Sequence, residues 1–389
     1  MQSQAILARA LPILERLVGF DTTSHRSNLA LIEWVEAWLA GQGVASRRIA
    51  SADGAKANLL ASIGPQAEGG VVLSGHTDVV PVAGQAWASE PFVLARRGER
   101  LFGRGTADMK GFIALALASV ADLLAAPLRR PAHLALSYDE EIGCFGAPAM
   151  IGVIAREIAA PALVVVGEPT GMEVVSAHKG IGVWRVAVTG REAHSAQTHL
   201  GVSAVMIAAR LMAELVRIAE RLERAADPAS RFEPKGATLT IGTVAGGTAG
   251  NILARDCAFQ FDLRGLPGVD ARAELAGFFE LAGRLDAQIR ARAPEAGVAV
   301  DQLADVPPLQ PEPGGAAEAL ARRLAGDNGP ARAVSFASEA GQFQRAGLPA
   351  ILCGPGSIDQ AHQPDEYIDL AQLERGAGFM ARVVEALSQ

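Results

Sequence analysis

Cysteine is scarce in this chain of 389 residues: Cys144, Cys257 and Cys353 are odd in number, widely spaced and outside any CxxC pair. That pattern argues against a disulfide framework and for reduced thiols in a cytosol. No run of Lys or Arg forms a basic arm, and the net charge of -7 excludes a phosphate backbone as the natural partner. Apolar stretches stay short of the roughly 20 residues that span a bilayer, and Met1-Gln2-Ser3-Gln4 lacks the basic start of a secretory signal. A soluble, cytoplasmic protein without nucleic-acid or membrane partners is expected. Gly-x-Ser-x-Gly elbows, P-loops and dinucleotide fingerprints are also missing, which removes three common enzyme chemistries. Internal repeats and low-complexity tracts are absent too; the Arg-rich stretch 217–224 reads as an ordinary solvated helix.

What remains is globular in composition, half hydrophobic and a fifth charged. The length exceeds what one core usually serves, so about two domains are expected. Helical periodicity runs over 6–18 and 30–39, the latter closed by Gly41. Apolar runs at 71–73, 134–136, 163–166 and 350–352 read as buried strands, with helices over 111–124 and 147–158 between them. This alternation predicts an α/β fold with a mixed, mostly parallel sheet covered by helices on both faces. From about 180 to 305 the rhythm changes to a strand at 183–188, a helix at 202–222, strands at 238–244 and 257–263, a helix at 271–292 and a strand near 298–300. The β-α-β-β-α-β order predicts a ferredoxin-like domain of 180–305, inserted into a domain made of 1–179 and 306–389. Pro307, Pro308, Pro311 and Pro313 mark the return linker.

Polar candidates follow the strands of the first domain, where open α/β sheets hold their ligands. His76 follows 71–73 within Gly75-His76-Thr77-Asp78. A ligating imidazole needs an acceptor on its other ring nitrogen, and Asp78 is placed to be that orienter. Asp108 lies in Gly103-Arg104-Gly105-Thr106-Ala107-Asp108-Met109-Lys110-Gly111; its bland role is to cap the next helix, its chemical one to bridge two metals. Glu140 and Glu141 are either a solvated acidic turn or the mouth of the sheet, where one carboxylate binds metal and the other handles a proton. Glu168 is stiffened by Pro169. His362 sits in a loop rich in Gly, Pro, Gln and Asp, where a surface turn is the competing reading. His25, His133, His178 and His199, four of only seven histidines, carry no signature. Cys144 reads as a small thiol packed beneath the site.

Two His with several carboxylates form a hard-to-borderline donor set suited to zinc, cobalt or manganese and too rich for one tetrahedral ion. Two ions sharing Asp108 fit the count. Such a pair lowers the pKa of a bound water, polarises a carbonyl and orients the substrate.

At these residues the chain resembles, over essentially its whole length, the acetylornithine deacetylase and succinyl-diaminopimelate desuccinylase family of dinuclear zinc amidohydrolases. Ser74-Gly75-His76-Thr77-Asp78, the Gly103 to Gly111 segment and Asp139-Glu140-Glu141 carry the resemblance as a set. It implies that His76 and Glu168 hold one metal, Glu141 and His362 the other, with Asp108 bridging, Asp78 supporting His76 and Glu140 as general base. It also implies a homodimer whose inserted domain is a lid. There Gly190-Arg191-Glu192-Ala193-His194-Ser195 is similar to the motif whose His reaches the partner subunit's site, and Asn251 and Arg264 resemble substrate contacts. Ser338 to Gln344 and Cys353 to Tyr367 are similar to the acetylornithine deacetylase branch, which implies release of acetate from N2-acetyl-L-ornithine in arginine biosynthesis. Desuccinylase, aminoacylase and acetylcitrulline deacetylase activities are the alternatives, and a non-catalytic binding module the rival from another class. By charge, Glu339 and Asp359 are candidates to meet a cationic substrate side chain.

Overall fold

The computed structural model describes residues 1–312 and 315–389, so Pro313 of the expected linker lies outside the described residues. The chain divides into two compact units: Met1–Ala177 with Leu309–Ala333 and Ser338–Gln389, and His178–Pro308 with Val334–Ala337. The borders fall at 177 and 308 where 179 and 305 are expected, and residues 334–337 return to the second unit.

Strands β1 (Ser46–Ala50), β2 (Ala57–Ile63), β3 (Val71–His76), β4 (Ala95–Arg97), β5 (Arg100–Phe102), β6 (Ala132–Ser137), β7 (Leu163–Pro169) and β8 (Val175–His178) come first in the chain. The second unit contributes β9 (Gly180–Thr189), β10 (Thr238–Gly246), β11 (Asp256–Gly265) and β12 (Gly297–Val306); β13 (Arg332–Val334), β14 (Ala350–Gly354) and β15 (Tyr367–Asp369) follow. The main sheet has the order β1-β2-β6-β3-β7-β14-β8-β13. Its centre is parallel: β6 with β3, β3 with β7, and β7 with β14. The outer pairs β1 with β2, β2 with β6 and β14 with β8 are antiparallel.

Every residue of β3, β6 and β7 is buried, as expected of parallel strands covered on both faces. The helix Gly111–Ala118, apolar all round and wholly buried, packs with Gln2–Val18 and Leu370–Ser388 in one hydrophobic core. The helix expected over 111–124 breaks at Ser119, whose hydroxyl donates to the Ala116 carbonyl at 2.7 Å and competes with the helical ladder. Register sets the active edge: His76 pairs with Ser137 of β6, while Ser74 pairs with Val166 of β7. The carboxyl ends of three neighbouring strands therefore stand side by side. Gly167 makes this packing possible, since a Cβ there would meet the Phe112 ring at 2.1 Å.

In the second unit the antiparallel sheet β10-β11-β9-β12 carries helices Ala204–Arg224 and Ala276–Arg290, in the ferredoxin-like arrangement. Alternate residues of β9 are buried, and Trp184, Phe259, Phe261 and Phe278 form the centre of its core. The helix expected over 271–292 is two pieces, Ala271–Glu274 and Ala276–Arg290, meeting at Leu275. Among the described residues no helix is long and apolar enough to cross a membrane.

Candidate metal centre

His76 closes β3 and Glu168 lies near the end of β7, so strands deliver both. Glu140 and Glu141 occupy the turn after β6, and His362 the loop after β14. Asp108 sits in an irregular turn before the helix at Gly111, and that helix has no side-chain cap. The capping role open to Asp108 is thus not the one its carboxylate takes.

Two ligand sets result. His76, Asp108 and Glu168 each offer an atom, all within 4.8 Å of one another, and so do Asp108, Glu141 and His362. His76 Nδ1 lies 2.9 Å from the Asp78 carbonyl oxygen, while the Asp78 carboxylate stands 3.7 Å away. The expected orienter is therefore the backbone of Asp78 rather than its side chain. With Nδ1 donating to that carbonyl, Nε2 is left facing Asp108 Oδ1 at 3.0 Å. His362 Nε2 likewise stands 2.9 Å from Glu141 Oε2 and 3.4 Å from Asp108 Oδ2. At these distances each ring nitrogen shares either a proton with its carboxylates or, once that proton is displaced, a metal ion. Glu168 Oε1 is buried with no hydrogen-bond partner, which fits the metal ion.

The electrostatics agree. Burial and the Asp108 charge push Glu141 up to about 7, and burial drives Glu140 and Glu168 well above the usual carboxylate range. Burial disfavours charge on Asp108 and His76 as well, yet the bonds of Asp108 to His362 and His76 hold it low, and the carboxylates around His76 hold that imidazole high. Hydrogen bonds to Asp108 and Glu141 raise His362 to about 10. Asp108, Glu140, Glu141 and Glu168 outnumber the two imidazoles, so the centre is short of positive charge. Divalent cations held by nitrogen and oxygen donors supply it.

The adjacent glutamates part company. Glu141 faces His362, while Glu140 belongs to neither ligand set and receives the Cys144 thiol at 3.3 Å on Oε1. The Asp78 carboxylate holds their turn, accepting from the Glu140 amide at 3.1 Å, the Glu141 amide at 3.3 Å and the Ser24 hydroxyl at 2.7 Å. Ser24 was not singled out by the sequence; only the need of a buried carboxylate for donors points to it. Arg104 and Glu366 carry no signature of their own in the sequence, and both are buried beside the Asp108 turn. Glu339 is 1% exposed beside the Ser74 and Ser137 hydroxyls, with no well-formed bond from its oxygens, and Asp359 is exposed.

His194, Asn251 and Arg264 belong to the second unit. There His194 forms an isolated antiparallel bridge with Ile252, and the Ser195 amide donates to the Asn251 carbonyl at 2.9 Å. His194 and Asn251 are exposed; Arg264, half-buried on β11, lies 3.7 Å from Asp262.

Comparison with known proteins gives a consistent answer. The model of peptidase family M20/M25/M40 matches residues 72–386. An acetylornithine deacetylase of Proteus mirabilis is 32% identical over 383 residues, 97% of this chain and 95% of the relative. One from Myxococcus xanthus is 34% identical, with 95% of each covered. Among solved structures, aminopeptidase PepT from Bacillus cereus superposes with a TM-score of 0.74 at 18% identity, over 98% of this chain and 99% of that one. A dinuclear metal-binding peptidase of the M20 family from Bacillus subtilis gives 0.67 at 14% identity, over 99% of both.

Proposed function

The chain belongs to peptidase family M20/M25/M40, a family of metallohydrolases, and from that premise we propose that it removes the acetyl group from N2-acetyl-L-ornithine. Water is added across the amide, giving acetate and L-ornithine, a step of arginine biosynthesis. The observation that carries the reading is the pair of ligand sets sharing Asp108, with Glu140 beside them and bound to neither. The choice of substrate rests on deacetylase relatives of 32–34% identity along nearly the full length.

His76, Asp108 and Glu168 would hold one ion and Asp108, Glu141 and His362 the other; zinc suits the donors, with cobalt the alternative. Bound there, the ions lower the pKa of water and polarise the amide carbonyl. Glu140 takes the proton from the attacking water and returns it to the departing amine, base first and acid second. Asp78 keeps Glu140 and Glu141 in place through their backbone amides. The second unit serves as lid and dimerisation domain of a cytoplasmic homodimer. Its edge strand β10, and the exposed Met206, Val216 and Val244, support that assignment. His194 of one subunit stabilises the oxyanion in the other, and Asn251 and Arg264 contact the substrate.

Turnover of acetylornithine, succinyl-diaminopimelate and acetylcitrulline, with metal content measured on the same sample, tests the proposal. Acetylornithine is expected to be the best substrate, and preference for either rival removes the assignment. Mixing His194→Ala with Glu140→Gln subunits is expected to restore active sites in heterodimers. Failure to complement removes the role across subunits.

A further inference from the structure

Resting on the two-ion reading, we propose that Glu366, Arg104 and Gln85 form a clamp of positioning residues that holds the Asp108 turn and the His362 loop at the separation their shared ion requires. The β5–β15 ladder pairs residues 100–102 with 367–369, but it stops short of both ligands, since Asp108 and His362 lie in irregular backbone beyond its end. The clamp fills that gap.

Glu366 is fully buried and its carboxylate is surrounded by donors of the Asp108 turn. Oε1 accepts from the Ala107 amide at 2.9 Å and from the amide of Asp108 itself at 3.1 Å. Oε2 accepts from the Gly105 amide at 3.0 Å and Arg104 Nη1 at 2.8 Å. The Glu366 backbone carbonyl receives the Gly103 amide at 2.9 Å. One residue of the His362 loop thus grips the turn along its length. Arg104 reaches back the other way: Nη1 donates to the Gln363 carbonyl at 3.3 Å and Nη2 to Gln85 Oε1 at 2.6 Å. Gln85 completes the circuit by donating to the carbonyl of His362 at 2.8 Å.

The His362 loop has need of such restraint. His362 has φ +64° and Asp365 φ +55°, left-handed values uncommon for residues with a side chain, though His and Asp tolerate them better than most. Asp365 is tied by the Ala88 amide at 3.0 Å, and Arg104 is braced against the Trp87 ring at 5.0 Å. A buried ion pair adds little net stability over an apolar replacement. Its value here is directional, because its acceptor atoms are spent on the backbone of a metal ligand.

Zinc titrated into the metal-free protein, with heat and circular dichroism followed together, is the test. The unaltered protein is expected to take two ions. Glu366→Gln is expected to keep the ion of His76 and Glu168 at near-normal affinity and to bind the ion of Glu141 and His362 about 10- to 100-fold more weakly. Gln85→Ala, which removes only the tie to the His362 carbonyl from a half-exposed position, is expected to weaken that same ion about 3- to 10-fold. Equal weakening of both ions in Glu366→Gln, or an unchanged second ion in Gln85→Ala, overturns the clamp; the latter decides the matter if Glu366→Gln fails to fold. An unaltered protein that takes a single ion overturns the two-ion reading itself, and the clamp with it.

Discussion

The two ligand sets share Asp108 but are built from different material. His76 and Glu168 come from β3 and β7, neighbouring parallel strands whose residues are all buried. Glu141 and His362 come from a turn and a loop, and the His362 side chain is 50% exposed. The strand-borne half inherits its geometry from a hydrogen-bonded ladder and a packed core, whereas the loop-borne half depends on individual polar ties: Asp78 to the Glu141 amide, Gln85 to the His362 carbonyl. One centre thus combines a part fixed by the fold with a part that must be held and that solvent can reach.

The sharpest way to set Glu140 apart from both halves is Glu140→Gln. Turnover is expected to fall about 10²- to 10⁴-fold, while both ions remain bound by metal analysis; loss of an ion would place Glu140 among the ligands. Breaking the strand-borne half calls for a change in packing. Gly167→Ala puts a methyl group into the Phe112 ring, and a loss of about 2–3 kcal/mol in denaturant unfolding is expected, with the His76 and Glu168 ion weakened most.

The scaffold of that half is also acid-sensitive. Burial pushes the His133 imidazole on β6 down to about 4, below the value near 6.5 of an unfolded chain. Folding therefore expels its proton, and this contribution is complete above pH 6.5 and lost as pH falls toward 4. Unfolding midpoints should drop with a slope worth about 2 kcal/mol between pH 6.5 and 4.5, and His133→Asn should flatten it. The smallest expected effect concerns removal of metal. A chelator should strip the loop-borne ion first, at about tenfold lower concentration than the strand-borne one, and two resolved steps in residual metal content would show it.

Much of this was legible in the sequence because the chemistry sits beside strong local signals. Apolar runs at 71–73, 134–136 and 163–166 announce β3, β6 and β7, and His76, Glu140, Glu141 and Glu168 follow from standing at their ends. Nothing in the sequence announces strand β1, because Ser46-Arg47-Arg48-Ile49-Ala50 lies at the sheet edge and has no apolar run. Sequence neighbourhood pairs the Asp78 side chain with the His76 imidazole, while its real donors, Ser24 and the Glu140 and Glu141 amides, are far along the chain. Glu366 illustrates the same limit. Its partners are backbone amides of residues 105, 107 and 108, and an amide looks identical in every sequence.

The place of β14 has a consequence for how the protein is made. It inserts between β7 and β8, although nearly two hundred residues of chain, including the whole ferredoxin-like sheet, are synthesised between β7 and β14. Until residue 354 has left the ribosome, one edge of β7 lacks its permanent neighbour, and that edge is seven buried-type residues long. A nascent chain therefore carries an open apolar edge through much of its translation, the kind of surface that recruits chaperones or pairs wrongly with another copy.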